Sequence, residues 1–350
     1  VQALVEPKRP TAIFRFDASP EIGGGHAVRC ATIARELNRR GWDCTLAVRA
    51  GTVELVEGLV GSETRWLELA CGSGFEAEEI ATRLSADCDL LVVDHYRRDA
   101  EFERACRDWA RRILVLDDLA DRPHDCDFLL DQTAGRQTAD YEPLVPSGCR
   151  LLLGSPHALL DSRFAELRDA SLRRRRERPG LGRILVSIGL MDHNNLTGTV
   201  LGGLVQTGLD VRVDVVLGGR APHLGAVRAA AARLGPKATV TADATDMPER
   251  LAEADLAIGA AGTTSWERCC LGVPGIVAVC ADNQERIAEA LSGAGAVDLL
   301  GRDVSIDPGA VAEAVLRLHG EQGRLAEMSA SAAMLCDGRG VRRLMEVLGA

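Results

Sequence analysis

From residue 12 onward the chain alternates short apolar runs with stretches whose apolar residues recur at helical spacing, and it nowhere turns to consecutive hairpin patterns. In the first half the runs at 12–16, 44–48, 89–93, 113–116, 128–130 and 151–153 read as strands, and 27–40, 75–85 and 100–111 as helices between them. Strands separated by helices have no short route to antiparallel pairing, so this order predicts a mainly parallel, doubly wound α/β sheet. The alternation then restarts, with strands at 184–188, 211–217, 239–241, 256–258 and 276–279. The helices there are 196–206, 224–234, 247–254, 265–271 and 284–291. The 350 residues have room for two domains of about 150 residues each. The expected division is a first domain at 11–170, a linker at 171–183, a second domain at 184–330 and a helix at 331–350 packing back on the first. The arginines at 173–176 within that linker are either an anion site or, more commonly for such runs, a solvated helix end.

Composition narrows the function classes. A formal net charge of −10 argues against a broad nucleic-acid surface. The eleven cysteines are scattered, odd in number and without a CxxC pair, so neither a disulfide framework nor a zinc site is expected. Cys30, Cys88, Cys106 and Cys280 lie in apolar stretches, as small buried hydrophobes do. The polar stretch 1–10 has no signal-peptide core, and no apolar run approaches the roughly 20 residues of a membrane span. A cytoplasmic monomer is the expectation.

Two strand-to-helix turns carry the chemistry. The first runs Ile22, Gly23, Gly24, Gly25, His26, Ala27, Val28, Arg29 and Cys30. Glycines there let the backbone approach a ligand, and open N–H groups in a first helical turn favour anions. His26 is then a candidate proton-transfer group, the alternative being a solvated histidine on a structural turn. The second runs Gly262, Thr263, Thr264, Ser265, Trp266 and Glu267, presenting N–H and O–H donors suited to a diphosphate. Glu267 reads as a cap or as an acceptor for vicinal sugar hydroxyls. Asn283 is a possible N-cap, which leaves Gln284 to reach outward. Asp94, Asp117 and Asp118 fit either a Mg²⁺ site or hydrogen-bonded strand ends, with no recognisable ligand spacing. The G-x-G-x-x-G fingerprint fails, because its third position is Val28.

Taken together, six separated motifs in order resemble the UDP-sugar hydrolase family of pseudaminic acid biosynthesis. They are Arg15 to Ser19 with Gly25, His26, Arg29 and Cys30; Val93 to Tyr96; Leu116 to Arg122 with His124 to Asp127; Leu129 to Gln132; Gly262 to Gly272; and Asp282 to Gln284. That family is similar in fold to the metal-independent glycosyltransferases of GT-B type. The resemblance therefore implies two Rossmann-like parallel-sheet domains facing across a cleft, with no cofactor and no metal. It implies a UDP-linked 2,4-diacetamido-2,4,6-trideoxy sugar as substrate, hydrolysed at the anomeric carbon with inversion to release UDP. In that carry-over His26 is the general base. Gly24, Gly25, Arg15, Asp17, Tyr96, Asp192, Asn283 and Gln284 lie toward the sugar and phosphates. Gly262, Thr263, Thr264, Ser265 and Glu267 hold the UDP, Glu267 at the ribose.

One departure stands out. Where the family shows two glycines, a hydroxyl residue and Asp, this chain has Gly189, Leu190, Met191 and Asp192. Leu190 crowds a close backbone approach and Met191 donates no hydrogen bond to a phosphate. Two rival readings follow: a GT-B glycosyltransferase using a UDP-sugar donor, and a non-catalytic UDP-sugar-binding paralogue. His95 and His124 are further candidates to assist His26.

Overall fold

The computed structural model describes residues 8–19, 23–54, 56, 65–70, 75–84, 87–321 and 323–350. Ile22, Ser85 and the first seven residues of the polar amino-terminal stretch lie outside them. The chain divides into two compact units, and the boundary differs from the expected one. The first comprises Val1–Asp131, Arg136–Leu153 and Val341–Ala350, the second Gln132–Gly135 and Gly154–Gly340.

In the first unit seven strands form one parallel sheet in the order β3-β2-β1-β4-β5-β6-β7. They are β1 (Thr11–Phe16), β2 (Asp43–Arg49), β3 (Arg65–Leu69), β4 (Leu90–Asp94), β5 (Ile113–Leu116), β6 (Phe128–Asp131) and β7 (Arg150–Leu153). Every residue of β4 and β5 is buried, as expected for strands covered by helices on both faces. The chain order reverses between β1 and β4, and the loops leaving those two strands flank the reversal. A ligand crevice forms at such a switch point, outside the carboxyl ends of the strands.

The second unit repeats the arrangement with six parallel strands in the order β10-β9-β8-β11-β12-β13. These are β8 (Arg183–Ser187), β9 (Arg212–Leu217), β10 (Ala238–Ala242), β11 (Leu256–Ala260), β12 (Gly275–Val279) and β13 (Val297–Arg302). One face of this sheet packs Val277, Trp266, Leu271 and Leu291, the other Val186, Val215, Leu201 and Ile258. The switch point falls between β8 and β11, beside the loops holding Asp192 and Gly262. Both sheets thus have the parallel, doubly wound, Rossmann-like arrangement that the alternation of strands and helices predicts.

Two stretches bear on the expected organisation. The segment read as a linker at 171–183 begins as the end of the helix Ser162–Glu177, inside the second unit. Arg175 is buried there and donates to the carbonyls of Leu251 and Ala254, at 3.0 and 2.7 Å. A charge run seen in sequence says nothing of such carbonyl acceptors from a distant helix end. The last helix, Gly340–Leu348, runs mostly in the first unit, where Arg112 donates to the Leu348 carbonyl at 2.7 Å. The strands β3 and β13 have no expected counterpart; both are amphipathic edge strands interrupted by charges.

Candidate functional site

The helix Gly25–Arg39 starts at the expected glycine turn. Gly23 has a φ of +80°, which favours glycine, and Gly24 caps the helix without a side-chain hydrogen bond. His26 sits in the first turn and is only 5% exposed, so it is not the solvated histidine of the bland alternative. Its Nδ1 lies 2.5 Å from Oδ1 of Asp94, the last residue of β4. A ring nitrogen that close to a carboxylate carries the proton, so Nδ1–H donates to Asp94 and Nε2 keeps its lone pair.

Asp94 is itself fixed from the same helix. Arg29, one turn after His26, donates through Nε and Nη2 to both carboxylate oxygens at 2.6 Å. Burial pushes the Asp94 carboxyl up, but the charge of Arg29, with the hydrogen bonds from Arg29 and His26, outweighs it and holds the carboxyl well below the usual carboxylate range. Tyr96 packs edge-on against the His26 ring, with centroids 4.7 Å apart, and its hydroxyl donates to Asp118 at 3.4 Å. Burial raises the Asp118 carboxyl despite Arg29, and its Oδ1 is buried without a partner among the described residues.

Beside this dyad lies a buried ionic network. Arg15, fully buried, donates to Asp17 and Glu76, and Glu76 also accepts from Arg49 and Arg98. Burial raises Glu76 less than Arg15 and Arg98 lower it, leaving it at about 2. His95 donates from Nε2 to Asp17 at 3.0 Å and accepts at Nδ1 from the Arg97 N–H at 2.9 Å, the opposite tautomer to His26. A cavity of about 420 Å³ opens here, lined in part by Asp17, Arg49, His95, Arg97 and Arg98.

The structure therefore joins His26, Asp94, Tyr96 and Asp118 at one switch point and separates other candidates from it. Arg15, with no exposed surface, holds Asp17 and Glu76 in place of a ligand. His95 is bonded to Asp17 at 3.0 Å and His124 to Glu103 at 2.7 Å, whereas the partner of His26 is Asp94. Asp117 accepts from Tyr141 and from the Ala120 N–H, which shapes its own loop. Arg29 and Glu76 were absent from the candidates. Arg29 was signalled by its i+3 spacing from His26 on one helix face, whereas nothing local marks Glu76.

In the second unit the N–H groups of Gly262, Thr263 and Thr264 have no partner among the described residues. Gln284 lies beside them, its Nε2 3.7 Å from where a Cβ on Gly262 would stand, while its Oε1 accepts from the Cys280 N–H. Ser265 is buried and accepts from Arg268, which removes it from a ligand's reach. Asn283 caps no helix. Glu267 is half-buried with no hydrogen-bonding partner among the described residues, and burial pushes its carboxyl up to about 7, against the pull of Arg268. Asp192 accepts from the N–H groups of Leu196 and Thr197 at 2.9 and 2.8 Å, so its carboxylate caps a helix. The Leu190 carbonyl accepts from the Gly218 N–H at 2.9 Å, which ties the departing loop to the end of β9. Cys280 is half-buried, whereas Cys30, Cys88 and Cys106 are fully buried as expected.

Comparison with known proteins agrees with this architecture. The glycosyltransferase family 28 C-terminal domain matches residues 199–344. The UDP-2,4-diacetamido-2,4,6-trideoxy-beta-L-altropyranose hydrolase of Campylobacter jejuni is 29% identical over 153 residues, 43% of this chain and 52% of that protein. An uncharacterized protein of Methanocaldococcus jannaschii is 20% identical over 265 residues, 75% of this chain and 54% of its own. The chain thus spans about half the length of each curated relative. Among solved structures, MurG of Acinetobacter baumannii superposes with a TM-score of 0.67 at 15% identity, covering 98% of this chain and 99% of that one. UGT2 of Phytolacca americana, solved with UDP-2fluoro-glucose and pterostilbene, gives 0.63 at 13% identity over 97% and 99%. At such identities the likeness is one of fold. No helix among the described residues is long and apolar enough to cross a membrane.

Proposed function

We propose that this chain hydrolyses a UDP-linked 2,4-diacetamido-2,4,6-trideoxy sugar at its anomeric carbon, with inversion and release of UDP. The observation that carries the reading is the 2.5 Å contact between His26 Nδ1 and Asp94. It leaves Nε2 as a base of fixed orientation, and a carboxylate held ionised stabilises the imidazolium formed when a water proton arrives. In this reading the open amides of Gly262, Thr263 and Thr264, with the Gln284 amide, neutralise charge on the departing diphosphate. Preorganised donors of this kind stabilise a leaving group without reorganisation. Glu267 accepts from the ribose hydroxyls. Gly24, Gly25, Tyr96 and Asn283 contact the sugar side, while Arg15, Asp17 and Asp192 act by holding their neighbours. The similarity to the Campylobacter hydrolase supports the substrate class, and the family resemblance of the motifs implies a place in nonulosonic acid synthesis for flagellin or surface glycans.

A second reading has its own observation. The cavity bordered by Arg49, His95, Arg97 and Arg98 gives a polar acceptor somewhere to sit beside the first sheet's switch point, which favours a transferase with an acceptor hydroxyl in place of water. A proton NMR time course with the UDP-diacetamido-trideoxy-altrose, EDTA present and no acceptor, tests the two. Release of UDP with the inverted free sugar supports the hydrolase. Bound substrate without turnover refutes it and moves the assignment to the transferase or to a binding paralogue.

A further inference from the structure

The second unit has a second cavity, at the end of its sheet opposite the nucleotide loops. Its walls include Leu181, just before β8, and Pro274, just before β12, with Leu318 and Leu325 beside them. Its volume is about 290 Å³. These residues precede the strands, whereas Gly262, Asp192 and Gln284 follow them. Five-residue strands put about 16 Å between the two edges.

The cavity is mostly apolar but sits over positive charge that lacks a counterion. Arg175 lines it and is 8% exposed. The Nη1 and Nη2 groups of Arg175 donate to the carbonyls of Ser171, Leu251 and Ala254. Its Nε is buried without a partner, and among the described residues no carboxylate is ion-paired to it. The neighbouring acid, Asp255, is already engaged. One oxygen pairs with Arg174 at 2.8 Å, and the other accepts the N–H groups of Gly182 and Arg183 at 2.9 Å. Arg178 and Glu321, both lining the cavity, are exposed, and Arg178 makes no ion pair among the described residues. A buried guanidinium without a carboxylate is costly, and an apolar hollow beside it is costly to hydrate.

We propose that this cavity is a binding site for a small monocarboxylate with an apolar body. The chain of the ligand fills the space among Leu181, Pro274, Leu318 and Leu325. Its carboxylate pairs with Arg178 and answers the field of Arg175. The site is separate from the nucleotide edge and independent of the reaction proposed above.

Isothermal titration of the full chain with hexanoate, and with hexanol as the uncharged probe, tests it. Hexanoate binds saturably at one site and more tightly than hexanol. Arg178→Ala weakens hexanoate by about fivefold, and Glu321→Gln tightens it by removing a like charge from the cavity lining. Neither change alters the weak binding of hexanol. Leu325→Trp, which fills the space, abolishes hexanoate binding while the melting transition stays cooperative. Absence of saturable hexanoate binding, equal binding of hexanol, or insensitivity to both charge changes overturns the proposal. Arg178 and Glu321 are exposed, so their variants keep the fold and the outcome reads binding alone.

Discussion

Glu267 makes the nucleotide reading quantitative. Its carboxyl is held at about 7 where 4.5 is ordinary, so near neutrality the folded chain resists ionising a group that a ribose diol would need ionised. If the diol donates to the carboxylate, nucleotide affinity follows the ionised fraction. That fraction rises from about one in eleven at pH 6 to about ten in eleven at pH 8, so Kd falls about tenfold. UDP-N-acetylglucosamine is the suitable probe, because its two phosphates keep full charge over this range. Glu267→Gln should bind it more weakly and with no slope between pH 6 and 8. The same substitution has an opposite effect on stability. A raised carboxyl pKa means the folded state holds its proton longer, so wild-type stability declines as pH rises from 4.5 to 7. Removing the ionisable group should make Glu267→Gln more stable than wild type at pH 8 by about 1–3 kcal/mol, the lower part reflecting partial solvent access. The two proteins should match at pH 4. Urea unfolding at both pH values, paired with titration calorimetry, reads both effects. A flat wild-type affinity between pH 6 and 8, or an identical slope in the variant, refutes the assignment of Glu267 to the ribose.

Three further outcomes are expected. His26→Asn should retain nucleotide affinity while hydrolysis falls at least about 10²-fold, as measured by UDP release; undiminished turnover would remove His26 as the base. The first unit should lose stability as pH falls from about 4 toward 2, because Asp17, Glu76 and Asp94 are all depressed below their ordinary values and must be protonated to unfold cheaply. Thermal melts followed by circular dichroism test this, and an unchanged midpoint over that interval would contradict the network. Asp192→Ala should cost about 1 kcal/mol in unfolding free energy through loss of its two helix-capping bonds, with KM little changed. A large KM effect at unchanged stability would instead make Asp192 a ligand contact.

The alternation of apolar runs with helical periods determined by itself that the chain folds as two parallel α/β sheets. These signals are local: a strand repeats every two residues and a helix every 3.6, and each is written within a dozen positions. The glycine turn before His26 was legible for the same reason, since a left-handed residue followed by an uncapped first turn is a backbone matter. Only the tertiary structure decided which distant groups meet. His26 and Asp94 are 68 residues apart in sequence, and they touch because β4 lies beside β1 at the switch point. The sheet order reflects how helices cover the two faces, which no single window contains. Likewise Arg15 looked like a ligand contact until Glu76 arrived from a helix 61 residues on to bury it. In the arginine run at 173–176, Arg173 and Arg176 are exposed as a solvated helix end has them, but the carbonyls of Leu251 and Ala254 meet and bury Arg175. In each case the side chain's identity was written locally, while its partner, and therefore its charge state and reach, depended on packing between segments far apart in the chain.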